Sequence, residues 1–364
     1  MATMRLPSGT YHQTYQQDQA WWQTRFVWLR MIGLLFILLV FIPLWMPVLF
    51  PDIGLYVVSV ANLIGYTILS AMGVQLLIGY AGQLTLGHSA FIAVGGYTSA
   101  ICMLMFGIPY PITIILAALT AGLWSMLFGL PSVRVKGYYL IMTTMAAQFI
   151  TVDFIITQYV AQIGGRGQAF SLPPGTITFG PIEIDNDIKV YYLMIALVIA
   201  CMVFVGNLLR TRVGRAWLAI RDNDIAAEVL GVNVVRYKLA AYFVGGALGG
   251  IAGSFWITSI YAVSPEHFTW SWSLWVVGVI LIGGVGSLYG TVFGAMFMTL
   301  VPEILRFAVA PLQPVFPQLM TNFQFLKESV FGLSIVLFLL YEPKGLAYRW
   351  WQIKNYLHLW PFSY

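Results

Sequence analysis

Charged residues make up only 9% of this 364-residue chain, against roughly a quarter in an ordinary soluble domain. That scarcity excludes a water-soluble globular fold. Cysteine is nearly missing as well. Cys102 and Cys201 both lie in apolar runs, so neither a disulfide framework nor a zinc site is indicated, and both read as small apolar packers. The histidines are His12, His88, His267 and His358; so scattered a set does not make a metal centre. The chain has no G-x-x-x-x-G-K-[ST] phosphate cradle and no H-E-x-x-H. The glycine-rich "GGVGSLYG" at 283–290 has the wrong spacing for a dinucleotide fingerprint and follows an apolar run, not a βαβ unit. With no catalytic constellation visible, the chain reads as a non-enzyme without a metal or cofactor of its own.

Apolar runs are what the sequence has instead. "MIGLLFILLVFIPLWMPVLF" (31–50) and "VYYLMIALVIACMVFVGNLL" (190–209) each approach the ~20 residues that cross a bilayer as a helix. An all-α polytopic membrane protein is therefore expected, since lipid cannot satisfy the edges of an open sheet. Ten spans are expected, near 31–50, 56–78, 88–106, 111–130, 138–157, 190–209, 239–262, 271–286, 288–309 and 324–341. The eighth is short, and Gly283, Gly284 and Gly286 break it or make it re-entrant. Residues 31–50 read as an uncleaved first span, being too long for a signal-peptide core.

The net charge of +5 is placed as membrane proteins place it and does not point to nucleic acid. With the N-terminus inside, only Arg166, Lys189, Arg306 and Lys327 of the 18 basic residues fall away from the cytoplasmic side. This asymmetry predicts N-in and C-in. It divides the chain into an N-terminal arm (1–30), a transmembrane domain (31–349) and an aromatic tail (350–364). An outer loop spans 158–189 and a cytoplasmic loop 210–238. Trp21, Trp22, Trp28, Trp350 and Trp351 flank the outermost spans and read as headgroup-level anchors.

Polar residues within spans are costly in lipid. Ser59, Asn62, Tyr66, Ser70 and Gly73 share a helix face in the second span, and Thr144, Gln148 and Thr151 in the fifth. These stripes read either as interhelical hydrogen bonding or as the lining of a polar pathway. "GYAGQLTLGHSAFIAVGGYTSA" (79–100) adds Gln83, His88 and Ser89 at an interrupted helix. It reads either as a cytoplasmic-side glycine hinge or as a helix restarting near His88, with free backbone N–H groups suited to a carboxylate. Gly245, Gly249 and Gly253, and then Gly286, Gly290 and Gly294, recur every fourth residue, the spacing that lets helices approach closely, here within the chain or against another subunit.

"GRAWLAIRDNDIAAEVLGVNV" (214–234) concentrates Arg215, Arg221, Asp222, Asp224 and Glu228 in an otherwise apolar chain. A short helix at Arg215–Arg221 and a second one capped by the 222–224 acidic and amide residues predict a helical elbow on the cytoplasmic side. Gly231 closes it in the left-handed conformation. Ile225, Val229 and Val232 share one face, Asp224 and Glu228 another, and Ala226 and Ala227 offer a low surface for close approach. So short a helix must dock on something to persist. If the chain drives uphill transport, its motor is a separate subunit.

At this point the chain resembles a known family. "GRAWLAIRDNDIAAEVLGVNVVRYKLAAYFVGGALGGIAG" (214–253) and "NLIGYTILSAMGVQLLIGYAGQLTLGHSAFIAVGGYTSA" (62–100) are similar to LivM-type permeases of branched-chain amino acid ABC importers, as are "SVRVKGYYLIMTT" (132–144) and "YEPKGLAYR" (341–349). The likeness runs in order over about 56–349, and omits the arm and the tail. It implies the ten-span importer fold in a bacterial inner (plasma) membrane. The implied partners are a second homologous permease, two cytoplasmic ATPases that use ATP, and a periplasmic substrate-binding protein. It also implies that Arg215, Asp224, Ala226, Ala227, Glu228 and Gly231 couple to the ATPase. The candidate pathway residues are Asn62, Tyr66, Ser70, Gln83, Ser89, Thr144 and Gln148. Relatives that carry urea or short amides keep that cargo as the alternative; a secondary transporter or channel would need a coupling residue within the membrane, whereas Asp153 and the Glu303/Arg306 pair read as lying near the outer surface.

Overall fold

The computed structural model describes residues 25–135, 137–160, 169–173, 176–179, 182–309, 311 and 322–359. The expectations for Trp21, Trp22, Arg166 and the rest of 161–168 in the outer loop, and the end of the tail, lie outside the described residues.

The described chain is mainly helical, with four two-residue strands among its connections. In order run α1 (Arg25–Phe36), α2 (Pro51–Val74), α3 (His88–Phe106), α4 (Tyr110–Gly129) and α5 (Tyr138–Phe149). After β1 (Phe170–Ser171), β2 (Thr178–Phe179) and β3 (Ile182–Glu183) come α6 (Asp187–Arg210), α7 (Arg212–Asp222), α8 (Asp224–Val229) and α9 (Val234–Ile260). β4 (Ala262–Val263), α10 (Trp270–Gly283), α11 (Leu288–Val309), α12 (Phe323–Tyr341) and α13 (Gly345–Leu359) complete it. α1, α2 and α5 continue beyond these bounds through wider i→i+5 turns. In α1 that stretch contains Pro43, which has no N–H for a regular helical bond.

Among the described residues, nine helices are long and apolar enough to cross a membrane. The expected span at 271–286 is instead the 14-residue α10, which rises only about 21 Å against a ~30 Å hydrocarbon core. It stops because Gly284 takes φ +119° and Gly286 φ +82°, a left-handed turn open to glycine. α11 then folds back on it. A Cβ at Gly290 would meet the Gly283 carbonyl at 2.7 Å, and one at Gly294 would overlap the Val279 carbonyl.

The described residues form two compact units. One comprises those of Met1–Val60 and Tyr348–Tyr364, the other those of Ala61–Ala347. In the first, α1 exposes Leu29, Ile32, Leu34 and Phe36, and Tyr348 stacks on Trp351 with centroids 5.8 Å apart. The second is built around α9. Its glycines serve two faces. Gly245, Gly249 and Gly253 lie against α2 and α3, where a Cβ on Gly253 would overlap the Ile92 carbonyl. Gly246 and Gly250 lie against Ser125, Ala121 and the Ala117 carbonyl of α4. The intrachain reading of the glycine spacing therefore holds for α9, and its second glycine face was not anticipated. Ser99 Oγ reaches Ser254 Oγ at 2.7 Å, and the Tyr110 hydroxyl donates to the Ser254 carbonyl at 3.3 Å, so polar atoms at these close crossings are paired between helices.

α4 shows the solvent for which the unit is built. Its small residues Thr113, Ala117, Ala121 and Ser125 are buried, while Ile112, Ile115, Leu119, Leu123 and Leu127 are exposed. In water such a stripe would be a liability; in lipid, large outside and small inside is the expected arrangement. At one end of the unit, β1 pairs antiparallel with β4 and the Tyr261 hydroxyl donates to the Ile184 carbonyl at 3.0 Å. Burial, with the Asp187 and Asp185 carboxylates adding to it, raises the Tyr261 phenol above its ordinary pKa. The 81–87 loop, the α4–α5 connection, α7 and α8 gather at the opposite end.

Candidate coupling elbow and interior polar seam

The elbow is a run of helices restarted by caps. Thr211 Oγ1 accepts from Val213 N at 3.2 Å, Asn223 Oδ1 from Ala226 N at 3.0 Å and Asn233 Oδ1 from Arg236 N at 3.0 Å. Each satisfies an N–H that a helix start leaves unpaired. Gly231, at φ +87°, ends α8 as expected, with the Val232 N–H donating to the Ala227 carbonyl at 3.0 Å.

Three anchors fasten this strip to the bundle. Trp217 is fully buried, and its indole N–H donates to the Tyr237 carbonyl at 2.8 Å. Arg221 Nη1 donates to the Gly79 carbonyl at 2.7 Å. Lys238, only 3% exposed, pairs with Asp224 at 3.4 Å and reaches the Ser132 carbonyl at 3.4 Å.

The anchors rearrange the expected faces. Ala227 is 2% exposed and packs inward, so it is not part of an outward coupling surface; Ala226 is the exposed member of the pair. Asp224 is tied to Lys238 and half-buried, so the anticipated Asp224–Glu228 face is split, with only Glu228 of the two exposed. What faces outward is apolar: Ile225, Val229 and Leu230 are 67%, 82% and 83% exposed. Leu230, the most exposed of them, was missed because it lies outside the helical periodicity. α8 has six residues, under two turns, and α7 starts at Arg212, earlier than Arg215. Arg215 stays at the surface, donating to the Arg210 carbonyl at 3.3 Å.

The candidate pathway residues are buried in the same unit but do not converge on one point. The Tyr66 ring lies 4.3 Å from that of Trp256 and stacks on that of Trp272 at 5.1 Å. Ser89 N donates to Ser273 Oγ at 2.9 Å, so both residues meet α10 at consecutive positions. Ser70 is fully buried one turn beyond Tyr66. Asn62 Nδ2 donates to the Asp187 carbonyl at 3.2 Å. On α5, Thr144 Oγ1 accepts from Leu86 N at 3.1 Å, and Gln148 Nε2 donates to the Phe268 carbonyl at 2.7 Å. Thr151 turns aside to accept from Trp124 Nε1 at 3.0 Å. Gln83 lies apart from the rest, in a polar cleft at the elbow. α3 restarts at His88, whose ring is fully buried beside Gly73 and Gly249. Trp256 and Trp272, whose buried indole nitrogens have no hydrogen-bond partner, escaped the sequence reading; nothing local marks an aromatic residue as the neighbour of Tyr66.

Comparison with known proteins agrees with this architecture. The family model described as branched-chain amino acid transport system / permease component matches residues 56–339. The high-affinity branched-chain amino acid transport system permease protein LivM of Salmonella typhimurium is 26% identical over 79% of this chain and 69% of its own length. A probable branched-chain amino acid transport permease protein LivM of Methanocaldococcus jannaschii is 27% identical over 76% of this chain and 88% of its own. A fructose import permease protein, FrcC of Rhizobium meliloti, is 26% identical over 66% and 74%. No solved structure matches. The match over 56–339 takes in the elbow, the glycine-packed α9 and the polar seam together, and on it the chain belongs to the family of branched-chain amino acid transport system permease components: a multi-pass membrane subunit of a transport system, not an enzyme.

Proposed function

We propose that this chain is the LivM-type permease of an ABC importer for branched-chain or related small amino acids in a bacterial inner membrane. A second homologous permease, two cytoplasmic ATPases that use ATP and a periplasmic binding protein complete the complex. Both termini lie inside, and the elbow receives the ATPase.

The observation that carries the reading is the outward face of α8. Ile225, Val229 and Leu230 stand exposed beside Ala226 and Glu228 on a six-residue helix, which cannot hold its shape alone. The Asn223 cap, the buried Trp217 and the Lys238–Asp224 pair make it rigid relative to the bundle. A push on this face therefore passes into α9 through Lys238 and into the Gly79 backbone through Arg221. Cargo crosses beside Tyr66, Ser70, Ser89, Thr144 and Gln148, where α2, α3, α5 and α10 bury polar groups in an otherwise apolar interior. The relatives named for branched-chain amino acids favour that cargo over urea or amides.

The test uses Leu230→Asp and Glu228→Lys. Both sites are exposed, so folding changes by no more than about 0.5 kcal/mol. Co-purification of the ATPase and ATP-dependent uptake of leucine in vesicles are expected to fall together in both variants. Full ATPase association and full uptake in both would overturn the coupling assignment.

A further inference from the structure

We infer that the cleft at the elbow joint is a binding site for a small zwitterion of the α-amino acid class, and that transported product bound there holds the elbow against the bundle. The cleft has a volume of about 320 Å³, at the low end of the ~300–1,000 Å³ typical of small-molecule sites. One wall is the α7–α8 joint, Ile220 to Asp224; the other is Gly82, Gln83, Val135, Gly137 and Leu140 of the bundle, with Lys238 beside them.

The chemistry of these walls selects the ligand. Among the described lining residues, the cations Arg221 and Lys238 are balanced by the carboxylates Asp222 and Asp224. A phosphate-rich anion or a metal cation would meet as much repulsion as attraction there; a molecule with one charge of each sign finds a partner for both. Lys238 meets Asp224 and the Ser132 carbonyl at 3.4 Å each, longer than the ~2.7–2.9 Å of a settled charge-assisted bond. Its ammonium therefore has capacity for a ligand carboxylate. Gln83 is only 5% exposed, and its Nε2 donates to the Ala81 carbonyl at 3.1 Å, while its buried Oε1 has no hydrogen-bond partner. That acceptor calls for a donor such as a ligand ammonium. Ile220 and Leu140 supply apolar surface for an aliphatic side chain. Because the ligand touches both walls, binding ties the joint of the elbow to the bundle and opposes its movement.

The binding half of this inference stands on the cleft alone; the regulatory half rests on the permease reading above. The probe is radiolabelled leucine, offered to the intact transport complex in nanodiscs without the periplasmic binding protein. Saturable binding is expected, weakened about tenfold or more in Gln83→Leu, the scale of one lost hydrogen bond to a charged group, and retained in Gln83→Glu, which keeps the acceptor. Val135→Trp, which fills the cleft and leaves Gln83 in place, is expected to abolish it; thermal melting checks that each variant is folded. Vesicles preloaded with leucine then take up external leucine more slowly than empty ones, and Gln83→Leu, measured against its own empty-vesicle rate, loses that slowing. No saturable binding by the parent protein, or undiminished binding by folded Gln83→Leu and Val135→Trp, overturns the site. Binding without slowing overturns the regulatory half. If empty vesicles show no ATP-driven uptake, it is the permease reading that fails, and the binding result stands on its own.

Discussion

At the scale of single residues, this protein depends on atoms it lacks. A side chain on Gly253 would run into the Ile92 carbonyl and lie 2.7 Å from Gly96 N, whereas one on Gly206 would meet only a Leu288 methyl at 3.8 Å. Gly253→Leu is therefore expected to lower the melting temperature in detergent, with overpacking costing at least the usual ~1–3 kcal/mol, while Gly206→Leu leaves it nearly unchanged. Equal melting of the two would show that α3 and α9 are not closely packed. The periodic glycines 245, 249 and 253 could be read from the chain, because a spacing of four is a local fact. Gly246 and Gly250 could not be assigned a neighbour, since only the position of α4 makes them a second contact face. Ala227 and Asp224 are similar: both lie in the recognisable block, yet the one is buried and the other reaches Lys238, fourteen residues away in the chain.

At the scale of elements, the elbow depends on its anchors more than on its helical content. α8 contributes too few backbone bonds to persist alone, and Trp217 is the largest group attaching the strip to α9. Trp217→Ala is expected to cost about 3–5 kcal/mol locally. It should appear as faster proteolysis within 210–238 and as reduced ATPase co-purification, with α3, α4 and α9 still packed. Unchanged proteolysis would mean that the elbow is held elsewhere. α10 belongs at this scale too. Its apolar composition suggested a span, and its glycines suggested a break; the break prevailed because Gly284 and Gly286 take left-handed angles that reverse the chain into α11.

At the scale of the whole molecule, the larger unit, Ala61–Ala347, turns large apolar side chains of α4 outward and buries polar side chains of α2, α3 and α5 in its interior, and the proposed pathway runs through that interior. Gln148 sits deep in that interior and donates to the Phe268 carbonyl, across from α5. Gln148→Leu is expected to lower leucine uptake several-fold while ATPase co-purification and melting stay near those of the parent. Unaltered uptake would remove Gln148 from the pathway.

The amino-acid order alone settled the membrane environment, the positions of nearly all the helices, and the place of the elbow. Those follow from apolar length, charge placement and capping residues, each a property of neighbours along the chain. It was silent on which side of each helix meets which partner. The packing of Tyr66 against Trp256 and Trp272, the inward turn of Ala227 and the closure of the Gln83–Lys238 cleft bring together residues up to some two hundred positions apart. Such meetings arise only when close-packed helices choose one arrangement that fills space and pairs their buried polar atoms, and that choice is made by the fold as a whole.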